Sequence, residues 1–427
     1  MMSREQFGAP RLRVDVHPDT GCPASLAGLA ADSGGQRVSG RPVRLESIYR
    51  RVLAYAGTMT VDVASRIRRV QAAMATAGVS GLVLTPGSDL RYLTGYAAKP
   101  LERLTALVLP AEGDPRLVVP LLELAEAERS PAALAGMDIV THEETDDAYA
   151  VAMGSLEGAD RVGVDDHMWA QRVLLFQERY PDVTWQIAGR LLADLRMRKG
   201  TDEVASLRHA GAAIDRVHRR MGEFLAVGRT EREAATAIAE AIVAEGHATA
   251  DFVIVGSGPN GASSHHSVSD RLIEAGDTVV VDIGGSTPDG YCSDSTRTYA
   301  VGAEPSADVC ESYEVLREAQ RTQCDYARPG VTAESVDRVG RTVIGDAGFG
   351  EFFVHRTGHG IGLDTHEEPY IVEGNTLVLE PGMAFSIEPG IYLPGRHGAR
   401  IEDIVVTTDE GIERLNTTPR SLTVVGG

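Results

Sequence analysis

The chain has 427 residues, enough for two domains with cores of their own. Its 41 Lys and Arg against 61 Asp and Glu leave a net charge of −20, which disfavours nucleic acid or an anionic membrane as the main partner because either would repel the protein overall. Hydrophobic residues at 43% and charged residues at 24% fit a soluble globular protein, and no apolar run approaches the roughly 18 residues that span a bilayer.

Residues 1–58 carry eight Arg, no Lys and five acids, so this segment is +3 and the remainder −23. Neither a helical nor a strand period persists there, and it lacks the apolar core of a signal peptide. The expectation is a disordered tail, or an extension created by a start codon assigned upstream of Met59. From Met59 the pattern becomes alternating α/β. VASRIRRVQAAMATAG has helical spacing and stops at Gly78, a natural C-cap. GLVLTP, LTALVLP and RLVVP read as strands, LLELAEAERSPAALAG as a helix and RVGVD as a further strand. This alternation predicts a small α/β domain over 59–192, ending near the charged stretch LLADLRMRKGTDE.

Residues 193–427 show an approximate duplication. A helix is predicted over 201–228, with acids in its first turn, and another from the capping box Thr230/Glu233 to Gly246. Strands DFVIVGSG, DTVVVDIGG and YCSDSTRTYAV follow. Helices from Ser306 to Arg328 and from Thr332 to Gly348 then precede strands around FFVHRTG, MAFSIEPGIYL and ARIEDIVVTT. Two helices and then antiparallel strands, given twice, predict a pseudo-symmetric α+β domain with one sheet covered by helices. Cys22, Cys292, Cys310 and Cys324 show no CxxC spacing and read as reduced thiols of a cytoplasmic protein.

Both halves place acids inside apolar strands. Asp282 and Asp294 flank a hairpin, so their carboxylates can meet across the ladder, and Glu388 and Glu402 repeat the arrangement across LPGRHGA. One such acid reads as a turn cap or a salt bridge to Arg297 or Arg400. Four at mirrored positions make a shared cation the more economical account, since an uncompensated buried carboxylate is costly. HRTGHGIGLDTHEEP adds His355, His359 and His366. Gly358, Gly360 and Gly362 argue against a long helix there, so this is not the HExxH arrangement.

The order Asp282, Asp294, His359, Glu388, Glu402, in the contexts VDIGG, GYCSDSTRT, HRTGHGIGLDTH, SIEPGIY and RIED, resembles the pita-bread metallopeptidases. These include prolidase, aminopeptidase P and methionine aminopeptidase, and the likeness is strongest to bacterial Xaa-Pro dipeptidases. It spans about residues 195–427, while RIRRV, SDLRYLTGY and LRMRKGTDE resemble the creatinase-like amino-terminal domain. The fold so implied is α+β: a pita-bread catalytic domain over 193–427 preceded by the smaller α/β domain.

The resemblance implies two divalent metals, one bound by Asp282 and the other by His359 and Glu388, with Asp294 and Glu402 bridging. Four carboxylates and one imidazole suit Mn²⁺, with Co²⁺ or Zn²⁺ able to substitute. A bridging water would ionise to hydroxide, and Glu388 would be the proton shuttle. His265 and His366 match the pocket histidines that contact substrate and oxyanion, with His266 as a neighbouring candidate and His355 at the pocket wall. Arg400 and Arg297 would orient the bridging acids, and Arg400 and Tyr370 would also contact substrate. Tyr370 stands where prolidases carry an Arg that clamps the substrate carboxylate, which a single hydroxyl cannot match. The implied activity is hydrolysis of the bond before proline in dipeptides or short peptides, by a homodimer. Alternatives on the same fold are a broader aminopeptidase P-like exopeptidase, a metal-dependent lyase, or a non-catalytic peptide-binding module.

Overall fold

The computed structural model describes residues 61–426; the expected tail over 1–58 lies outside the described residues. Helix α1 (Val63–Ala77) opens with the Asp62 side chain accepting from the Ser65 N–H and closes at Gly78, whose φ of 65° suits glycine. There follow β1 (Gly81–Leu84), α2 (Ser88–Thr94), β2 (Ala106–Pro110), β3 (Arg116–Pro120), β4 (Asp138–His142), β5 (Arg161–Val164), α3 (Ala170–Arg179), β6 (Thr184–Ile187) and α4 (Gly189–Arg196). The strands form one mixed sheet in the order β4-β3-β2-β1-β5-β6. Leu82 and Leu84 pack with α1 on one face and Val83 with Phe176 of α3 on the other. Burial on both faces is why these strands read as continuous apolar runs.

The single helix expected over 121–136 is broken. A 3-10 turn at Leu121–Glu123 runs into Leu124–Ala127, and a separate short helix starts at Pro131, capped by the Ser130 hydroxyl. Pro131 has no N–H to continue the preceding turn but fits the first position of a new one.

The carboxy-terminal part opens with α5 (Thr201–His218), where the Glu203 carboxylate accepts from the Gly200 N–H at 2.9 Å. This helix ends ten residues short of expectation, because Met221, Phe224 and Leu225 turn into the core that they share with α6 (Glu231–Ala244). The capping box at Thr230 and Glu233 forms as expected. The chain continues through β7 (Thr249–Ser257), β8 (Thr278–Ser286), β9 (Cys292–Val301), α7 (Ala307–Tyr326), α8 (Ala333–Asp346), β10 (Gly358–Gly360), β11 (Glu367–Ile371), β12 (Ala384–Ile387), β13 (Gly390–Leu393), β14 (His397–Arg400), β15 (Asp403–Thr407), β16 (Ile412–Arg414) and β17 (Thr423–Val425). Helix pair and strands thus occur twice. The strands pair as β17-β9-β8-β7, β11-β10-β12-β15-β16 and β13-β14. The halves meet where the Glu402 N–H donates to the Thr296 carbonyl at 3.1 Å and the Thr298 hydroxyl to the Arg400 carbonyl at 3.1 Å.

Two strand expectations change. FFVHRTG is a 3-10 turn at Gly350–Phe352 followed by irregular chain, and only Gly358–Gly360 pairs. That strand is squeezed between its neighbours: a Cβ on Gly358 would lie 1.9 Å from the Ser386 carbonyl oxygen, and one on Gly360 2.1 Å from that of Glu368. The segments carrying Glu388 and Glu402 are also interrupted, β12 ending at Ile387 before Pro389 and β14 ending at Arg400. Both acids therefore lie in breaks between ladders rather than inside strands. The pairs Ile387↔Asp403 and Gly390↔Arg400 set Glu388 opposite Glu402. Asp282, by contrast, faces Thr296, and Asp294 faces Gly284, so the first pair is diagonal and the two halves are not geometrically equivalent.

Candidate metal centre and active site

Asp282 and Asp294 sit on one face of the β8–β9 ladder because paired residues, and residues two apart, share a face. Gly284 opposite Asp294 leaves room for Phe252, whose ring a Cβ there would meet at 2.4 Å. His359 on β10 enters from the other half. Its Nδ1 lies 3.1 Å from the Gly360 carbonyl, which makes Nδ1 the protonated nitrogen. Nε2 faces Glu388 Oε1 at 3.1 Å and Asp294 Oδ2 at 3.6 Å. The Ser386 hydroxyl accepts from the His359 N–H and donates to Glu388 Oε1, both at 3.0 Å. The Thr296 hydroxyl donates to Glu402 Oε2 at 2.8 Å and accepts from Arg400 Nε at 3.1 Å.

Arg400, 2% exposed, reaches Asp282 Oδ2 at 2.5 Å, the Tyr392 hydroxyl at 2.7 Å and the Ser264 carbonyl at 3.1 Å. One guanidinium against three buried carboxylates and the partly buried Glu388 leaves excess negative charge. Burial, and then repulsion from Glu402, Asp282 and Glu388, push Asp294 well above the usual carboxylate range. Burial with Glu388 and Asp282 does the same to Glu402. Burial also raises Glu388, but His359, Arg400 and His355 outweigh it and hold this acid low. Asp282 Oδ1 and Glu402 Oε1 are buried without a hydrogen-bond partner. Asp282, Asp294 and Glu402 offer ligand atoms within 4.8 Å of one another, as do His359, Glu388 and Glu402, and Asp294, His359 and His366; Glu402 is common to the first two sets. An oxygen-rich donor set with orphaned anionic atoms fits divalent cations.

These residues open on a cavity of about 740 Å³ that His265, His355, His366 and Arg356 also line. The His366 ring lies 3.9 Å from that of His359, and burial, His359 and Arg356 lower its pKa to about 4, so the imidazole is neutral at neutral pH. His355 is fixed through both nitrogens, to the Tyr392 hydroxyl at 2.9 Å and the Arg356 carbonyl at 2.7 Å.

Four expectations take a different form. His266 is bound to Glu231 at 2.7 Å, in a cluster that also holds Ser257, Asn260 and Ser269, and does not line the cavity. Tyr370 does not line it either; its ring underlies the Arg356 guanidinium at 4.5 Å. Arg400 braces Asp282 directly and reaches Glu402, one of the acids expected to bridge, through the Thr296 hydroxyl. Arg297 pairs with Asp403 at 2.6 Å and reaches Glu402 only through its carbonyl. Arg356, Asp251, Phe252 and Thr365 also line the cavity, and no sequence pattern marks them for it. Arg356 lies within the histidine motif, whose chemistry points to its histidines. Asp251 falls where the β7–β8 register shifts, a bulge no local pattern announces.

A model of the creatinase/prolidase amino-terminal domain matches residues 66–198, and a model of metallopeptidase family M24 matches 205–409. The probable dipeptidase PepE of Mycobacterium tuberculosis (strain ATCC 25618 / H37Rv) is 55% identical over 363 residues, covering 85% of this chain and 96% of that protein. The Xaa-Pro dipeptidase of Lactobacillus helveticus is 35% identical, covering 79% and 92%. Among solved structures, dipeptidase PepE from Mycobacterium ulcerans shares 54% identity at a TM-score of 0.81, over 86% of this chain and 99% of that one. A recombinant prolidase from Thermococcus sibiricus shares 37% at 0.80, over 86% and 100%.

Proposed function

This chain belongs to metallopeptidase family M24, with a creatinase/prolidase amino-terminal domain, and from that premise we propose that it hydrolyses Xaa-Pro dipeptides with divalent metal, Mn²⁺ being the ion that suits its oxygen-rich donor set. The observation that carries this reading is the buried cluster of four carboxylates and one imidazole with two orphaned oxygens, at the floor of a cavity sized for a short peptide. Asp282, Asp294, His359, Glu388 and Glu402 would hold two cations. Metal bound there supplies Lewis-acid polarisation of the scissile carbonyl and a water acidic enough to react near neutral pH.

The remaining work falls to side chains. Glu388, ionised and oriented by Ser386, takes the proton of the attacking water and passes it to the leaving nitrogen. His265 and His366 hydrogen-bond the substrate and the oxygen on which negative charge develops. Arg400 holds the Asp282 carboxylate in place, while His355 orients the Tyr392 hydroxyl that Arg400 also uses. With Tyr370 outside the cavity and the Arg400 guanidinium engaged by Asp282, Arg356 is a cation lining it that can receive a free substrate carboxylate, and Tyr370 supports its guanidinium.

Ala-Pro hydrolysis should be abolished by EDTA, restored by Mn²⁺ and lost in Glu388→Gln; turnover that survives both treatments rejects the mechanism. The parent should prefer Ala-Pro to Ala-Pro-amide, and Arg356→Met should erase the preference; an undiminished preference rejects the role given to Arg356. The resemblance leads us to expect a homodimer, which a monomer in sedimentation at micromolar concentration would contradict.

A further inference from the structure

His366 lies on the six-residue connection 361–366 between β10 and β11, which has no ladder pairs of its own. Its main chain is tied by Cys292 N–H donating to the Gly362 carbonyl at 2.8 Å and by Ile361 N–H donating to Ala384 at 3.3 Å. The other side is held by residues of the amino-terminal domain and its exit. Arg196, at the end of α4, binds Asp89 of α2 at 2.8 Å, Asp364 at 2.7 Å, and Glu367. The Ser88 hydroxyl lies 2.5 Å from Asp364 Oδ1 and 3.3 Å from the Leu363 carbonyl. Lys199 binds Glu367 and donates to the Arg196 carbonyl. Leu363 packs against the amino-terminal core.

The centre of the network is nearly dry, with the Arg196, Lys199 and Glu367 side chains 11%, 2% and 8% exposed, while Asp364 at its edge is 34% exposed. A planar guanidinium that serves three carboxylates in such surroundings holds them in fixed directions. Two of those carboxylates, Asp364 and Glu367, bracket Thr365 and His366. A connection without ladder bonds is where a structure opens most readily, so the clasp sits where His366 would otherwise be least constrained. We propose that Arg196, with Ser88 and Asp364, is a positioning device for His366, through which the creatinase-like domain sets the rate of the neighbouring site. The proposal rests on the reading above that His366 contacts substrate.

The double variant Ser88→Ala/Asp364→Asn tests it, since neither residue lines the catalytic cavity and Arg196 keeps Asp89 and Glu367. Chymotryptic cleavage after Leu363 should become at least tenfold faster. For Ala-Pro, kcat should fall at least tenfold while KM changes less than threefold and manganese content is unchanged. In a His366→Ala background the same pair of changes should alter kcat less than twofold, because its effect runs through that histidine. Arg196→Lys, which keeps the charge and loses the fork, should show an intermediate loss. Unchanged cleavage after Leu363, or an equal loss of kcat in both backgrounds, overturns the proposal. A parent protein without Xaa-Pro hydrolysis overturns the substrate reading instead, and the cleavage rate then decides the clasp by itself.

Discussion

Glu231→Gln probes how the loop bearing His265 is held. Glu231 is fully buried at the start of α6, and each of its oxygens takes three donors. Oε1 accepts from the Ser257 N–H and hydroxyl and from Asn260; Oε2 accepts from His266 and from the Ser269 N–H and hydroxyl. Burial pushes this acid up, but donation by Ser269, Ser257 and His266 prevails and brings it to about 2. Glutamine has one acceptor oxygen, so whichever way its amide flips, its NH₂ meets the backbone N–H of Ser257 or Ser269. Orphaning that donor costs about 1–3 kcal/mol, and the surviving bonds lose their charge assistance, for a total of about 3–5 kcal/mol. For a domain of this size the melting temperature should fall by about 10 °C. The sign with pH follows from the lowered pKa. The stabilisation is complete above the unfolded value near 4.5 and is lost as pH falls toward about 2, so parent and variant should converge only in acid. Thermal melts by circular dichroism at pH 7 and pH 3.5 measure both. His266→Ala, which removes one of the six bonds, should cost about 1 kcal/mol and leave kcat within a few fold. A drop of less than 2 °C for Glu231→Gln at pH 7, or a larger loss from His266→Ala, refutes the reasoning.

Gly360→Ala should yield protein that is insoluble or loses more than about 3 kcal/mol, because the new methyl meets main chain, which cannot yield as a flexible side chain can; an unchanged urea midpoint contradicts the packing of β10. His218 is fully buried and uncharged, its pKa lowered to about 3 by burial and then by Arg297, so it binds a proton in the unfolded chain before the folded one. It therefore costs stability as pH falls from about 6.5 toward 3, and His218→Gln should flatten the parent's loss of melting temperature between pH 6.5 and 4.5; parallel curves contradict this. Mn²⁺ at about 100 times its dissociation constant should stabilise the protein by about 2.7 kcal/mol. Glu402→Gln, which removes a ligand shared by both sets, should halve that shift or more in differential scanning fluorimetry; equal shifts refute the assignment of Glu402.

Much of this protein is determined locally. The helix ends at Gly78 and Thr230, the doubly buried strands of the first sheet, and the twofold order of helix pair and strands follow from capping, periodicity and apolar runs, which act within a few residues of chain. The acids and histidines were legible as a group because their residue types are costly to bury without partners. What each side chain touches was not legible. Arg400 braces Asp282 across 118 residues, Arg297 turns to Asp403, His266 turns to Glu231, and Arg356 rather than Tyr370 faces the cavity. Those choices depend on ladder register, on breaks at Pro389 and Ile401, and on a bulge at Asp251, each settled by contacts between distant segments. The clasp on His366 is the fullest case. Ser88, Asp89, Arg196, Asp364 and Glu367 read singly as ordinary surface charges and hydroxyls, and only the packing of one domain against the other brings them within hydrogen-bond reach and takes Arg196 and Glu367 out of water.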